Sequence, residues 1–548
     1  MSLYSKLIKA IDITRESGLS GLKDKVIAKI QEYSPAWENQ KIIKKYTPTN
    51  KELHDLSEIV THSDYQPKIS VLLPVYNPPI EFLVDCVNSV RAQVYKNWEL
   101  CIADDCSTDP KVVSYLKTLE NLDSRIKIKF RNENGHISKS SNSALELVTG
   151  EFTALLDHDD LLSKDALAEV TLLLNDHKDA DLIYSNEDKI DLKNNRKQPT
   201  FKANWSPDYF LSFMYIGHLS IYRTSLIKSV GGFREGYEGS QDYDLALRAT
   251  ELTSKIYHLP KILYHWRMHP ESTAVNLNAK PYAFQSAKRA LKDALERRGC
   301  KNAFLEDTRY PGIYKIDFKD IASSKIHIVT DSTFASLQSS PSLQIHSNLT
   351  FHDFIVLLKS NQFSTSEYLL YLDRDTTGIS RDYTHEILKV FQRPNVGLVT
   401  FKIVQPNGIL LSAGTTIVGH QLYYSFFGSS KEAVGYGARI IVPHNVLIVN
   451  PLAWAVKVSD LLEYIDEIDT LSSFESLAVF LSLKINKNKK QNLYIPYVTI
   501  TNNSKDSYYE INASDFKNTE FRDSFNQVRD YFYPIGMACE PADYRVKL

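Results

Sequence analysis

Three carboxylates and a histidine stand together in Asp157-His158-Asp159-Asp160, directly after the apolar run Phe152-Thr153-Ala154-Leu155-Leu156. Acids at the end of a buried strand need a positive partner there. On an extended strand, residues two apart point the same way. Asp157 and Asp159 are therefore expected to converge on one hard divalent cation, and carboxylate oxygens suit Mg²⁺ or Mn²⁺. A cation with open positions is suited to a substrate's phosphates. The plainer alternative is a solvated acidic turn, so the flanking sequence decides the matter.

Elements that would position such acids lie on both sides. Ile69-Ser70-Val71-Leu72-Leu73-Pro74-Val75-Tyr76-Asn77 is a short apolar run ending in turn residues. Phe82 to Val94 has helical periodicity, and Trp98-Glu99-Leu100-Cys101-Ile102-Ala103 is a second strand ending in Asp104-Asp105-Cys106-Ser107-Thr108-Asp109. The strand Ile126 to Phe130, a polar turn, another helix and the acidic strand follow. Strand alternating with helix predicts a parallel sheet in an α/β domain. Ligands of such sheets bind beyond the carboxyl ends of the strands. Three polar clusters fall at those ends.

Composition narrows the function. The chain of 548 residues is long enough for two or three domains, and 43% hydrophobic with 24% charged residues describes a globular chain. A net charge of −2 gives no electrostatic case for nucleic acid. Cys86, Cys101, Cys106, Cys300 and Cys539 have neither metal spacing nor a disulfide framework, and read as reduced thiols of a cytoplasmic protein. No signal peptide is expected, and the apolar stretch Ile440 to Val458 is interrupted by Pro443, Asn450, Pro451 and Lys457, as buried strands and turns would be. Residues 1–66 read as an N-terminal helical arm. Within it Leu3, Leu7, Ile8 and Ile11, then Leu22, Val26, Ile27 and Ile30, recur at helical spacing among lysines. Such a face either packs on the next domain or makes peripheral contact with the inner face of an anionic membrane.

The segments "ISVLLPVYN", "ADDCSTD", "NENGHISKSSNSAL", "FTALLDHDDLL", "YSNEDKID", "FKANWSPDYF", "YIGHLSIYR", "GGFREGYEGSQDYDLALR" and "LYHWRMHPEST" resemble, in order, the motifs of glycosyltransferase family 2. The nearest likeness is to the bacterial rhamnosyltransferase-like subgroup that builds O-antigen and capsule chains. The resemblance implies a GT-A fold over residues 67–305, a UDP- or dTDP-linked sugar donor, a glycan or lipid-linked glycan acceptor, Mn²⁺ or Mg²⁺, and transfer with inversion. It implies Asp242 as general base, with Asp244 turned away or capping its helix, and Asp157, Asp159 and His269 as metal site. His265 competes with His269 for that place. Pro74, Tyr76, Asp104, Asp105, Asn134, Asn142, Arg267 and Ser272 fall on the nucleotide and phosphate side, although Arg267 could equally pair with a carboxylate. Gly135 would let backbone approach a ligand closely, and Asp104-Asp105 could also form an Asx turn with Ser107. Glu187, Asp188, Trp205, Gly217, His218 and Gln241 match segments lining donor-sugar and acceptor pockets, and Trp205 is either a sugar platform or core.

The acidic strand recurs. Glu367-Tyr368-Leu369-Leu370-Tyr371-Leu372-Asp373-Arg374-Asp375 aligns with Glu151 to Asp159, and Ile326 to Thr333 echoes the strand ending in Asp105. A second, degenerate GT-A-like domain is expected over residues 306–505, with a tail over 506–548. It has no evident counterpart of the strand ending in Asn77. Thr376 replaces Asp160, Arg374 could neutralise Asp373 and Asp375 without metal, and Ser473-Phe474-Glu475-Ser476 stands for the base motif. A catalytically silent second domain is expected, its Tyr423, Tyr424, Phe426 and Phe427 being either docking surface or core. The rival functions are a two-site polysaccharide polymerase and a nucleotidyltransferase of similar fold. The latter normally needs a basic loop after the first strand, and Pro74 to Pro79 has no lysine or arginine.

Overall fold

Ile69-Ser70-Val71-Leu72-Leu73-Pro74-Val75 lacks polar alternation, as a strand buried on both faces requires. In the computed structural model it forms β1 (Ile69–Val75), buried at every position. The structure describes residues 36–269, 281–319, 321, 324–331, 342–360, 362–365, 367–418 and 420–511. Pro74 comes after Leu72, the last residue of β1 paired with the strand on its inner side, so its missing N–H breaks no ladder there. With β2 (Trp98–Asp104), β3 (Ile126–Phe130), β4 (Phe152–Leu155), β5 (Leu161–Leu162), β6 (Leu182–Ile190), β7 (Arg196–Thr200), β8 (Ser220–Arg223) and β9 (Ile256–Arg267) it builds one sheet. The order is β3-β2-β1-β4-β8-β6-β9-β5, with β7 beside β6. The first four strands are parallel, whereas β8 runs against both its neighbours. The sheet is thus mixed, and only its β1–β4 side is the parallel array expected from the strand–helix alternation. Helix Ile80–Arg91 packs through Leu83, Cys86, Val87 and Val90, the three-and-four spacing of one helical face. Helix Pro110–Leu122 starts with proline in its first turn and Asp109 accepting from Lys111 N.

A hairpin of β10 (Ala303–Asp307) and β11 (Tyr314–Phe318) follows. Tyr314, Leu305, Ile313 and Ile316 pack into the core of the first sheet, on both sides of the boundary expected at residue 305. The second sheet contains β12 (Ile326–Thr330), β13 (Leu343–His346), β14 (Tyr368–Leu372), β15 (Thr376–Ile379), β16 (Val396–Val404), β17 (Leu410–Ala413), β20 (His444–Asn445), β21 (Ala453–Lys457) and β22 (Gln491–Asn502). Between them β18 (Thr415–Val418) and β19 (Gln421–Tyr424) join β23 (Tyr508–Glu510) in a small sheet, so the expected tail begins inside this domain.

The second sheet repeats the first. The path β12-β14-β21-β16-β22-β15 matches β1-β4-β8-β6-β9-β5, pair by pair and direction by direction. This corrects the sequence alignment. Ile69 pairs with Phe152 and Ile326 with Tyr368, so Ile326–Thr330 occupies the place of β1, not of the strand ending in Asp105. Among the described residues the copy has two strands on that side where the first sheet has three. Asp-Ser-Thr and Asp-Cys-Ser-Thr look alike because both are turn chemistry after a strand.

The two units share core. Ile42, Phe201 and Ile262 pack into the cluster of the second sheet, and Ala438 and Val442 into that of the first. Tyr423, Tyr424 and Phe426 are buried, and Phe427 packs against the second-sheet core, which decides for core over docking surface. The lysine-rich face of the N-terminal arm lies outside the described residues; the arm's described part forms helices Ala36–Lys45 and Asn50–Thr61. Among the described residues no helix is long and apolar enough to cross a membrane.

Candidate functional site

The acidic motif is a turn. β4 stops at Leu155, and Asp160 N donates to Asp157 O at 3.2 Å. The strand alternation expected to align Asp157 with Asp159 therefore does not hold. Asp157, half-buried, lies 3.7 Å from His218 Nε2. Asp159 instead meets His269 Nε2 at 2.8 Å. Burial pushes the Asp159 carboxyl up, but the His269 hydrogen bond and the charges of His158 and His269 hold it at about 2. Asp160 is fully buried and accepts from Tyr264 OH at 2.6 Å and Arg267 N at 2.7 Å. Burial and then the charges of Asp159 and Asp157 push it well above the ordinary carboxylate range. Ligand atoms of Asp157, Asp160 and His218 lie within 4.8 Å of one another, a donor set suited to a hard cation. So Asp160 and His218, rather than Asp159 and His269, gather around Asp157.

Arg267 frames this turn. It is fully buried and donates through Nε to Asp159 O at 2.6 Å and through Nη1 to Asn194 Oδ1 at 2.5 Å, with Asp85 at 3.4 Å. The Asp85 contact is the carboxylate pairing expected as one of its two roles. His265 Nδ1 lies 2.6 Å from Asp188 Oδ1, and Asp188, itself fully buried, also accepts from Arg196 at 2.6 Å. Both His265 and Asp188 are thus engaged with each other across β6 and β9. Ser272 lies outside the described residues.

His218 is held on every side. Its N–H donates to Glu187 Oε2 at 3.2 Å, and its C=O accepts from Lys202 Nζ. Lys202 also donates to Glu187 Oε2 at 2.8 Å and Ile216 O at 2.7 Å. Burial lowers the Lys202 pKa against the pull of Glu187. The imidazole stacks on Tyr264 at 4.6 Å, and its Nδ1 is buried without a partner. Gly217, at φ +34°, is where a Cβ would come within 3.2 Å of Glu187 Oε2. Trp205 is half-buried against Phe210 and Tyr215, so one face is core and the rest is open.

Helix Gln241–Ala249 brings a further acid to this place. Asp242 bonds the Tyr243 N–H at 2.8 Å. Burial pushes its carboxyl up; the charge of His218 and the Tyr243 N–H oppose this, and the charge of Asp157 adds to it. Asp242 therefore shares one field with His218 and Asp157. Asp244 is fully buried between Arg234 and Arg248, with Arg248 Nη2 at 2.7 Å. It does not cap the helix; the cap position belongs to Ser240, and Gln241 bonds Gly239 N at 2.8 Å.

On the β1–β2 side, Tyr76 is 46% exposed, free to offer a ring face, and Pro74 is buried beside it. Asp104 is buried. One of its oxygens accepts from Ser107 N at 3.2 Å, and the other has no partner. Turn and open acceptor coexist. Asp105, by contrast, is spent on Arg131 at 2.6 Å and Gly135 N at 3.0 Å. Gly135 is required by Arg131 and Lys139, whose side chains a Cβ would meet at 2.6 and 2.7 Å. Asn134 is exposed and reaches Asp105 O at 3.3 Å. Asn142 exchanges two hydrogen bonds with the backbone of Phe233, at 2.8 and 2.9 Å, and faces protein instead of an open ribose or phosphate site.

Residues 70–231 match the family model for glycosyl transferase family 2. This domain is a family 2 glycosyltransferase domain. Its sheet is of the GT-A type, and a second, GT-A-like sheet follows it. A relative, the uncharacterized protein y4gI of Sinorhizobium fredii, is 34% identical over 81% of this chain and 54% of its own length. The O-antigen biosynthesis protein RfbC of Myxococcus xanthus is 30% identical over 66% of this chain and 31% of its own. The chondroitin synthase of Escherichia coli is 31% identical over 38% of this chain and 30% of its own. The chain thus spans about half, or less, of the length of these relatives.

The second sheet has a cleft of about 320 Å³ at the corresponding place, lined by Asp331, Arg374, Ser473, Phe474 and Glu475 among others. Arg374 does not sit between Asp373 and Asp375; it is 67% exposed at the side chain and lies 3.7 Å from Asp331. Asp373 accepts from Asp375 N at 2.9 Å and Asn502 at 3.2 Å. Ser240 and Ser473 both precede the first helical residue, so Glu475 stands at the helical position of Asp242.

Proposed function

We propose that this chain is an inverting, cation-dependent glycosyltransferase that moves a sugar from a UDP- or dTDP-linked donor to a hydroxyl of a growing bacterial surface glycan. The observation that carries the reading is the meeting of Asp157, Asp160 and His218 with the raised-pKa Asp242 at the carboxyl ends of β1 and β4 in a family 2 domain. The O-antigen and chondroitin relatives support a surface polysaccharide as product.

In this reading Asp242 accepts the proton of the acceptor hydroxyl as that oxygen bonds to the anomeric carbon. The bond from that carbon to the donor phosphate breaks on the opposite face, and the nucleoside diphosphate leaves with the electron pair. A divalent cation held by Asp157, Asp160 and His218 would supply Lewis-acid stabilisation of the leaving phosphate. The open oxygen of Asp104 suits a ring N–H of the base, and Tyr76 suits its face. Arg267 holds the acidic turn in shape from behind. Screening a nucleotide-sugar panel with Mn²⁺ tests the reading. Turnover should vanish with chelator and return with Mn²⁺ or Mg²⁺; full turnover in excess EDTA would remove the cation from the mechanism.

Glu475 at the helical position of Asp242, beside a cleft, favours one second reading: a polymerase with two transfer sites.

A further inference from the structure

The wall of the first domain that carries Lys202 and Trp205 is fastened to the second domain by buried polar groups. Phe201 N donates to Tyr436 OH at 2.6 Å. Ser206 Oγ and Asp208 N converge on Asn445 Oδ1 at 2.9 and 3.1 Å, and Asn445 Nδ2 donates to Asp208 Oδ2 at 2.7 Å. Arg393 pairs with Asp208, and Tyr209 OH donates to Gly437 O. Ser206, Asp208 and Asn445 are all buried.

Tyr436 is the contact that leads by hydrogen bonds to His218. It sits at the tip of a turn between Gly435 and Gly437, at φ +75° and +58°. A Cβ at Gly437 would lie 2.5 Å from Tyr209 Oη, so the close approach of the two domains needs glycine there. From Tyr436 the chain of contacts is short. Its hydroxyl takes the Phe201 N–H; the next residue, Lys202, holds Ile216 O, His218 O and Glu187; Glu187 holds the His218 N–H. His218 Nε2 then faces Asp157 at 3.7 Å.

We propose that Tyr436 is a positioning residue for the first domain's site: through it the second domain fixes the Phe201–Lys202 segment and, through Lys202, the orientation of His218 toward Asp157. The second domain is then part of the frame of the site, whatever its own chemistry. The inference rests on the reading of Asp157, Asp160 and His218 as the cation site.

Hydrogen exchange on the full chain tests it without any substrate. Tyr436→Phe keeps the ring and removes only the hydroxyl. Peptides covering residues 201–218 should exchange roughly tenfold faster than in the unmodified chain, the scale of one lost hydrogen bond, while peptides of β1 do not change. Tyr464→Phe, which removes a second-domain hydroxyl that accepts from Asn488 at 2.5 Å, controls for general loosening and should leave 201–218 untouched. Titration with Mn²⁺ alone should show weaker binding by Tyr436→Phe, by roughly three- to tenfold, and no change in Tyr464→Phe. Equal protection of 201–218 in Tyr436→Phe and the unmodified chain would overturn the proposal, as would faster exchange in both variants alike. If exchange changes as expected while the unmodified chain binds no Mn²⁺, the cation-site reading fails and the fastening by Tyr436 stands.

Discussion

Asp242 and Asp244 are two residues apart, carry the same group, and have opposite surroundings. Asp244 is held in ion pairs by two guanidinium groups, those of Arg234 and Arg248. Among the described residues Asp242 pairs with no arginine, and burial raises its pKa, the direction a general base needs. Asp242→Asn should lower kcat by roughly two to four orders of magnitude with donor binding retained. Asp244→Asn should instead cost about 3 kcal/mol of stability, the low end for breaking a buried pair, because Arg234 is a third exposed. Near-normal kcat in Asp242→Asn would assign the base elsewhere. The raised pKa also fixes two signs. The protonated acid cannot accept a proton, so kcat/KM should fall as pH drops through the Asp242 pKa, at a higher pH than for an ordinary aspartate. In stability the fold favours the protonated form, so the contribution is present below the ordinary aspartate value and lost as pH rises from that value through the raised one. At this scale the sequence was informative about residue types and less so about partners. The third acid of the motif, Asp160, and the histidine of Tyr215-Ile216-Gly217-His218 were both visible. Their meeting depends on β4 and β8 being antiparallel neighbours, which no local pattern encodes.

Elements were legible where burial is two-sided. β1 and β2 fall where their apolar runs predicted and are buried at every position, since such a run has few other homes. The acidic segment was misjudged because the apolar run hides where the strand stops, and a one-residue change of geometry there reorients every carboxylate. β12 was misassigned because its ending resembles that of β2 while its place is set by pairing with β14. The turn Gly435-Tyr436-Gly437 gave no sequence signal of its role, because its partner, Tyr209, is more than two hundred residues away. Gly437→Ala should lower stability by roughly 1–3 kcal/mol, from a side chain forced to positive φ and a Cβ pressed on Tyr209. Urea unfolding would register this as a lower midpoint; an unchanged midpoint would mean that the seam between the domains relaxes freely.

At the scale of the whole molecule, two roles of the second domain separate. One is the frame: its turn and Asn445 hold the wall of the first site, and the two cores interleave through Phe201, Ile262, Ala438 and Val442. Removing the domain would strip those contacts, so a truncated chain reports on folding before it reports on chemistry. The other is the cleft beside Asp331 and Glu475. Substitution can address it while leaving the frame intact. Asp373 and Asp375 stand where Asp157 and Asp159 stand in the first domain, and the Asp373 carboxylate accepts from Asp375 N and Asn502, both of its own domain. Asp373→Asn with Asp375→Asn removes the two acids that flank Arg374, a residue of the cleft wall, in the sequence. If transfer occurs in the first domain alone, kcat with a short acceptor should stay within about threefold, which is under 1 kcal/mol in barrier height. Loss of one of two alternating sugars from the product, with the protein still folded, would make the second cleft a transfer site. Abolished transfer of both would mean that the charge of the cleft reaches the first site through the seam.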